Sequence, residues 1–315
     1  MLIDRLIERI IAKKNPSVVG LDTMLEYVPE HVVNNYGRQR LDLEGTANAI
    51  YEFNRAIIDA VYEYVPAVKL QTAYYELYGP HGLETFRKTA EYARSKDLLV
   101  IGDIKRSDIG PTAKAYASAY MGQTQLNNDA IRVYDLDFVT VNPYLGSDGV
   151  MPFVEVCKKY GKGIFVLVKT SNPSSGEFQD LNVGTGKLYH WVAAKVNEWG
   201  RELAGSTGYS RVGAVVGATY PKQLEELRKR MPGVYFLIPG YGAQGGGVED
   251  VLSGFNDDGL GAIINSSRSV ICAYMRSPWK EEFPPRRFAD AARAEVLRMR
   301  REIDTGLSKK GLRPW

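Results

Sequence analysis

Eight short apolar, β-branched runs recur along this chain, each followed by turn residues or a polar motif and then by a stretch of helical periodicity. They span Ser17 to Asp22, Ala67 to Gln71, Leu98 to Asp103, Phe138 to Asn142, Gly163 to Lys169, Val212 to Gly217, Val234 to Pro239 and Leu260 to Asn265. Most are too continuously apolar to keep one face wet, so they read as parallel strands covered on both sides by helices. Helical connections are expected at Thr46 to Val65, Gly82 to Ser95, Thr112 to Met121, Val150 to Tyr160, Leu188 to Leu203 and Pro221 to Arg230. Eight such units close as a (β/α)8 TIM barrel of the α/β class, with a doubly wound open sheet as the alternative that periodicity leaves open. No segment reads as a second domain. Residues 1–315 are expected to form one barrel domain with an N-terminal helix, insertions near 23–66 and 170–211, and a C-terminal tail that is helical from about Phe288 to Ile303 before a polar end.

Polar residues gather where these runs end. Asp22, Lys69, Asp103, Lys105, Asn142, Lys169, Gln244 and Arg268 all fall at or just beyond a strand end, the face on which a barrel builds its active site. Any one of them alone reads equally well as a cap or a solvated charge. Their shared register favours a site.

Bulk properties narrow the classes of function. With 44% apolar and 24% charged residues the composition is that of a soluble globular protein, and the net charge of +3 is spread too thinly to support nucleic-acid binding. The opening Met1 to Ile11 places apolar residues at 2, 3, 6, 7, 10 and 11, a helical stripe unlike a signal peptide or membrane span, which predicts a cytoplasmic protein. Cys157 and Cys272 lie far apart and there are only three histidines, so neither a disulfide nor a zinc site is expected.

Two motifs carry chemistry. In Asp103-Ile-Lys-Arg-Ser-Asp108, two carboxylates and a lysine crowd a strand exit. In a dry pocket an ammonium between two carboxylates keeps all three ionised and makes the site hostile to a further anion, which suits a reaction that expels negative charge. A surface salt-bridge cluster opening a helix, with Asp108 near its N-terminus, is the plainer alternative. The second motif is Pro239-Gly-Tyr-Gly-Ala-Gln-Gly-Gly-Gly247, followed one unit later by Asn265-Ser-Ser-Arg-Ser269. Glycines let backbone N–H groups approach phosphate oxygens, and Arg268 offers a planar fork for the same group. The ends of the seventh and eighth strands are where barrels often bind phosphate.

Asp103-x-Lys105-x-x-Asp108 and Pro239-Gly-Tyr-Gly-Ala-Gln-Gly-Gly246, with Leu21-Asp22, Val68-Lys69, Thr170-Ser-Asn-Pro173 and Ser267-Arg268 in order around them, resemble the orotidine 5′-monophosphate decarboxylases in their longer bacterial and archaeal form. The resemblance covers almost the whole chain. It implies replacement of the substrate's C6 carboxylate by hydrogen, without cofactor or metal, as the last step of pyrimidine biosynthesis. It assigns Lys105 to the C6 carbanion and its proton, and places Asp103 against the departing carboxylate. Asp108, with Ile109 and Thr112, would reach the site of a neighbouring subunit, making the active form a homodimer. Asp22 and Lys69 fall to the ribose hydroxyls, Ser171 to the pyrimidine edge, and Gln244 to a bridge between base and phosphate. Pro239, Gly245, Ser267 and Arg268 form the phosphate end.

Three rival readings remain distinct. A magnesium-dependent sugar-phosphate decarboxylase or aldolase of the same superfamily would carry a metal-binding glutamate where this chain has Lys69. A Schiff-base aldolase would need Lys105 or Lys169 with a lowered pKa, and flanking carboxylates push Lys105 the other way. A silent binding protein for phosphate ligands would bind without turnover.

Overall fold

The computed structural model describes residues 1–37, 41–242 and 247–315. Its centre is a closed barrel of eight parallel strands in sequential order. They are β1 (Ser17–Gly20), β2 (Ala67–Gln71), β3 (Leu99–Arg106), β4 (Phe138–Val141), β5 (Gly163–Lys169), β6 (Ser210–Val216), β7 (Val234–Pro239) and β8 (Ala262–Ser266). β1 pairs with both β2 and β8, which closes the ring and excludes the open sheet. Eight strands make a barrel whose interior side chains can fill completely.

The longer helices are α1 (Leu2–Lys13), α2 (Leu43–Val61), α3 (Gly79–Ser95), α4 (Gly110–Tyr120), α5 (Ser147–Tyr160), α6 (Leu188–Gly200), α7 (Pro221–Arg230) and α8 (Phe288–Lys309). Outward strand residues such as Val68, Val100, Val139 and Val166 pack beneath them in one continuous apolar layer. α8 is part of that ring, since Phe288 stacks on Phe53 of α2 with ring centroids 4.8 Å apart. It runs beyond the expected Ile303 to Lys309.

Period-two alternation divides the barrel interior into a dry floor and a polar ceiling. Ala67, Leu99, Ile101, Phe138, Phe165, Tyr235, Leu237 and Ile263 point inward and meet Leu2, Ile3, Leu6, Ile7 and Ile10 of α1, which plugs the bottom. Of the expected N-terminal stripe only Ile11 turns to solvent. Asp4 fixes the plug, accepting hydrogen bonds from the backbone of Ser206 and Thr207 and from the Thr207 hydroxyl. Gly163 makes room for the Phe138 ring, which a Cβ there would meet at 2.4 Å.

Among the described residues, the two segments expected to be insertions carry elements of their own. Residues 23–66 hold the turn Leu25–Tyr27, the helix Glu30–Val33 and α2 itself. Residues 170–211 hold the turn Pro173–Glu177, a small hairpin of Asn182–Val183 with Gly186–Lys187, and α6. A second hairpin, Thr124–Leu126 with Asp129–Ile131, follows α4. Among the described residues no helix is long and apolar enough to cross a membrane.

Candidate active site

One further inward step along each strand passes from the apolar floor to a cavity of about 640 Å3 at the C-terminal end of the barrel. Asp22, Lys69, Asp103, Lys105, Ser171, Pro239, Ser267 and Arg268 all line it. So do Gln71, Tyr74, Thr140, Gln179 and Asn265, which the sequence reading did not single out.

Asp103 is the hub. Its Oδ2 accepts from Lys69 Nζ at 2.9 Å and from Gln71 Nε2 at 3.0 Å. Its Oδ1 accepts from the Thr140 hydroxyl at 2.8 Å and from Lys105 Nζ. Burial works against the Asp103 charge, but the Lys69 and Lys105 ammonium groups outweigh it and hold the carboxyl well below its usual range. Burial likewise penalises Lys69, yet Asp103 and Asp22, whose Oδ1 lies 3.1 Å from Nζ, hold its ammonium above the usual lysine value.

Within the chain, Lys69 is an ammonium between two carboxylates, Asp22 and Asp103. Within the chain Lys105 pairs with Asp103 only, and Asp108 stands apart, its Oδ1 accepting from the Ile109 amide. Asp108, Ile109 and Thr112 do not line their own chain's cavity. Ile109 is 52% exposed, and Thr112 also faces solvent.

The motif is held by an irregular strand end rather than by a loop. β3 continues to Arg106 with a register shift after Gly102, and Lys105 adopts φ 46°, a left-handed conformation uncommon for a residue with a side chain. Arg106 turns away from the cavity to Glu76 and the Tyr120 hydroxyl.

Two expected strand-end residues lie elsewhere. The β5–β6 register shift after Leu167 turns Lys169 out of the barrel interior. Its Nζ donates to Ser175 Oγ at 3.0 Å and Asp180 Oδ2 at 2.9 Å and lies 4.5 Å from the Tyr220 ring centroid, with no exposure to solvent. That fully engaged ammonium is unsuited to a Schiff base. Asn142 shapes a turn, its Oδ1 accepting from the Tyr144 amide.

At the opposite side of the cavity, Gly240 (φ 104°) and Gly242 (φ 77°) take backbone conformations that side chains disfavour. Arg268 opens a short helix directly after β8 and is exposed at the rim. Gln244 and Gly245 lie outside the described residues. The cavity thus has a charged end built on β2 and β3 and an arginine-and-glycine end built on β7 and β8.

Known proteins resemble this chain in sequence and fold. A family model described as "Orotidine 5'-phosphate decarboxylase / HUMPS family" matches residues 20–277. The orotidine 5′-phosphate decarboxylase of Caldicellulosiruptor saccharolyticus is 47% identical over 272 residues, covering 86% of this chain and 89% of that protein. That of Petrotoga mobilis is 44% identical over 307 residues, covering 97% and 99%. The structure of Leishmania donovani OMP decarboxylase superposes with a TM-score of 0.68 at 30% identity, covering 95% of this chain and 98% of that one. The family match and these relatives show that the chain belongs to the orotidine 5′-phosphate decarboxylase family.

Proposed function

We propose that this chain decarboxylates orotidine 5′-monophosphate (OMP) to uridine 5′-monophosphate (UMP) and carbon dioxide, working as one barrel domain in the cytoplasm. The observation that carries the reading is the pairing of Lys105 with an Asp103 that also accepts from three other donors, in the same cavity as Arg268. A carboxylate held so firmly in its ionised form repels the substrate's carboxylate at C6, and departure of carbon dioxide relieves that repulsion. The C6–carboxylate bond breaks with its electron pair left on C6. The Lys105 ammonium stabilises that charge and then delivers the proton that fills the position.

Arg268, Ser267, Pro239 and the glycine segment, with Gln244 and Gly245, grip the phosphate. Lys69 and Asp22 meet the ribose hydroxyls, and Ser171 meets the pyrimidine edge. Phosphate binding far from C6 supplies energy that positions and stresses the base.

The active form is a homodimer in which Asp108, Ile109 and Thr112 complete the partner's site. Support comes from exposed apolar residues on the segments after β3 and β4: Ile109, Leu126, Ile131, Tyr144 and Leu145. A magnesium-dependent sugar-phosphate reaction is disfavoured by Lys69, whose ammonium sits between Asp22 and Asp103 where a divalent cation would need their negative charge.

The test is loss of orotate absorbance when metal-free protein meets OMP, with and without EDTA. Rapid decay insensitive to EDTA is expected. No decay from folded protein overturns the reading, and decay that EDTA abolishes returns it to the magnesium-dependent class.

A further inference from the structure

The irregular end of β3 poses a problem that one side chain on β4 solves. Four steps along β3, from Gly102 to Arg106, face two steps along β4, from Val139 to Val141. Residues inside such a bulge lose their ladder partners, and a buried N–H without an acceptor is unfavourable. Lys105 is one of them, and its amide donates instead to Thr140 Oγ1 at 3.0 Å. The same hydroxyl donates its own proton to Asp103 Oδ1 at 2.8 Å. That oxygen is the one Lys105 Nζ meets.

A single buried hydroxyl thus holds the lysine by its backbone and the carboxylate by its oxygen. Thr140 is 1% exposed, and as a β-branched residue within a strand it has little rotamer freedom. The left-handed φ of Lys105 gives the restraint its purpose. A side-chain-bearing residue persists in that conformation only where its surroundings hold it there.

We propose that Thr140 is a positioning residue for the reaction, setting the place of the Lys105 ammonium relative to Asp103 without touching the reacting carbon. The inference rests on the decarboxylase reading above. It distinguishes Thr140 from a residue that merely fills the barrel, because valine has nearly the same shape and lacks only the hydroxyl.

The experiment compares Thr140→Val and Thr140→Ser with the parent protein. Measurements are steady-state decarboxylation of OMP, UMP affinity and hydrogen exchange at the Lys105 amide. In Thr140→Val, kcat is expected to fall about 100-fold, the scale of a small misplacement of a catalytic group. UMP affinity should hold, and the Lys105 amide should exchange faster. Thr140→Ser should restore both rate and protection. Should Thr140→Val fail to fold, Thr140→Cys replaces the hydroxyl by a poor acceptor of similar size and carries the same expectation. Parent-like kcat in folded Thr140→Val or Thr140→Cys overturns the inference, as does a parallel loss of rate and UMP affinity that serine does not rescue. A parent protein inert toward OMP brings down the functional reading together with this one. An active parent with an indifferent valine variant removes only the role of Thr140.

Discussion

Lys69 Nζ lies 2.9 Å from Asp103 Oδ2, and at that depth each charge is tolerable because the other is present. The lysine side chain is 4% exposed and the carboxylate 10%. Removing one partner therefore does more than delete an attraction, since it strands the other charge in a poorly solvated place.

Lys69→Met is accordingly expected to destabilise the fold by about 3–5 kcal/mol, the usual result of breaking a buried pair from one side. Urea unfolding gives the measure. A loss below about 1 kcal/mol would mean that water reaches the pair far more freely than its burial implies.

The same cluster predicts how stability responds to acid. The folded-state pKa of Asp103 is depressed from the usual 3.8, so its contribution is fully present above that value and is lost as pH falls through the lower folded value. The gap in unfolding free energy between the parent and Asp103→Asn should therefore be constant from pH 5 to 8 and shrink below about pH 4. A gap that stays level down to pH 2 would contradict the depressed value. Lys69 acts in the opposite direction: its raised pKa gives a contribution that is complete below 10.5 and is lost only in stronger alkali.

Arg268→Ala should raise KM for OMP by about 10- to 100-fold, corresponding to the 1.5–3 kcal/mol of hydrogen bonds to a charged group. Affinity for a nucleoside without phosphate should be nearly unchanged. Equal losses for both ligands, measured by calorimetry, would refute the phosphate grip.

Asp108→Asn and Lys105→Ala should each be nearly inactive alone. If sites are shared, mixing the two variants under conditions of subunit exchange should restore part of the activity, because some dimers then hold one site with both native residues. Activity that stays at the level of the separate variants would place Asp108 in its own chain's chemistry.

The barrel was legible because parallel strands buried on both faces leave continuous apolar runs. All eight predicted runs coincide with barrel strands to within a few residues. Helix starts were less legible. The sequence reading began α3 at Gly82 and α4 at Thr112, but the helices start at Gly79 and Gly110. Pro80 and Pro111 lie in those first turns, where proline's missing N–H has no intrahelical partner to lose.

At the site, the charged residues were found, but some neutral strand residues were not. Gln71 and Thr140 look like ordinary strand residues, although strict alternation from Lys69 and Phe138 would have put both on the inward face. Lys169 failed for the complementary reason. Alternation from Phe165 and Leu167 points it inward, but a register shift carries it out, and shifts of that kind have no periodic signature. The irregular end of β3 was hidden in the same way. The ion pairs that Lys69 makes across strands with Asp22 and Asp103 were likewise not legible from sequence spacing.

The buried ammonium of Lys169 has a final consequence. By clasping Ser175 and Asp180 it fastens the start of the segment after β5, and with it the shelf on which Ser171 sits. That shelf is preorganised: its conformational entropy is surrendered during folding, so an arriving ligand need not order it. A lysine that does not line the cavity thereby removes freedom from a segment that does.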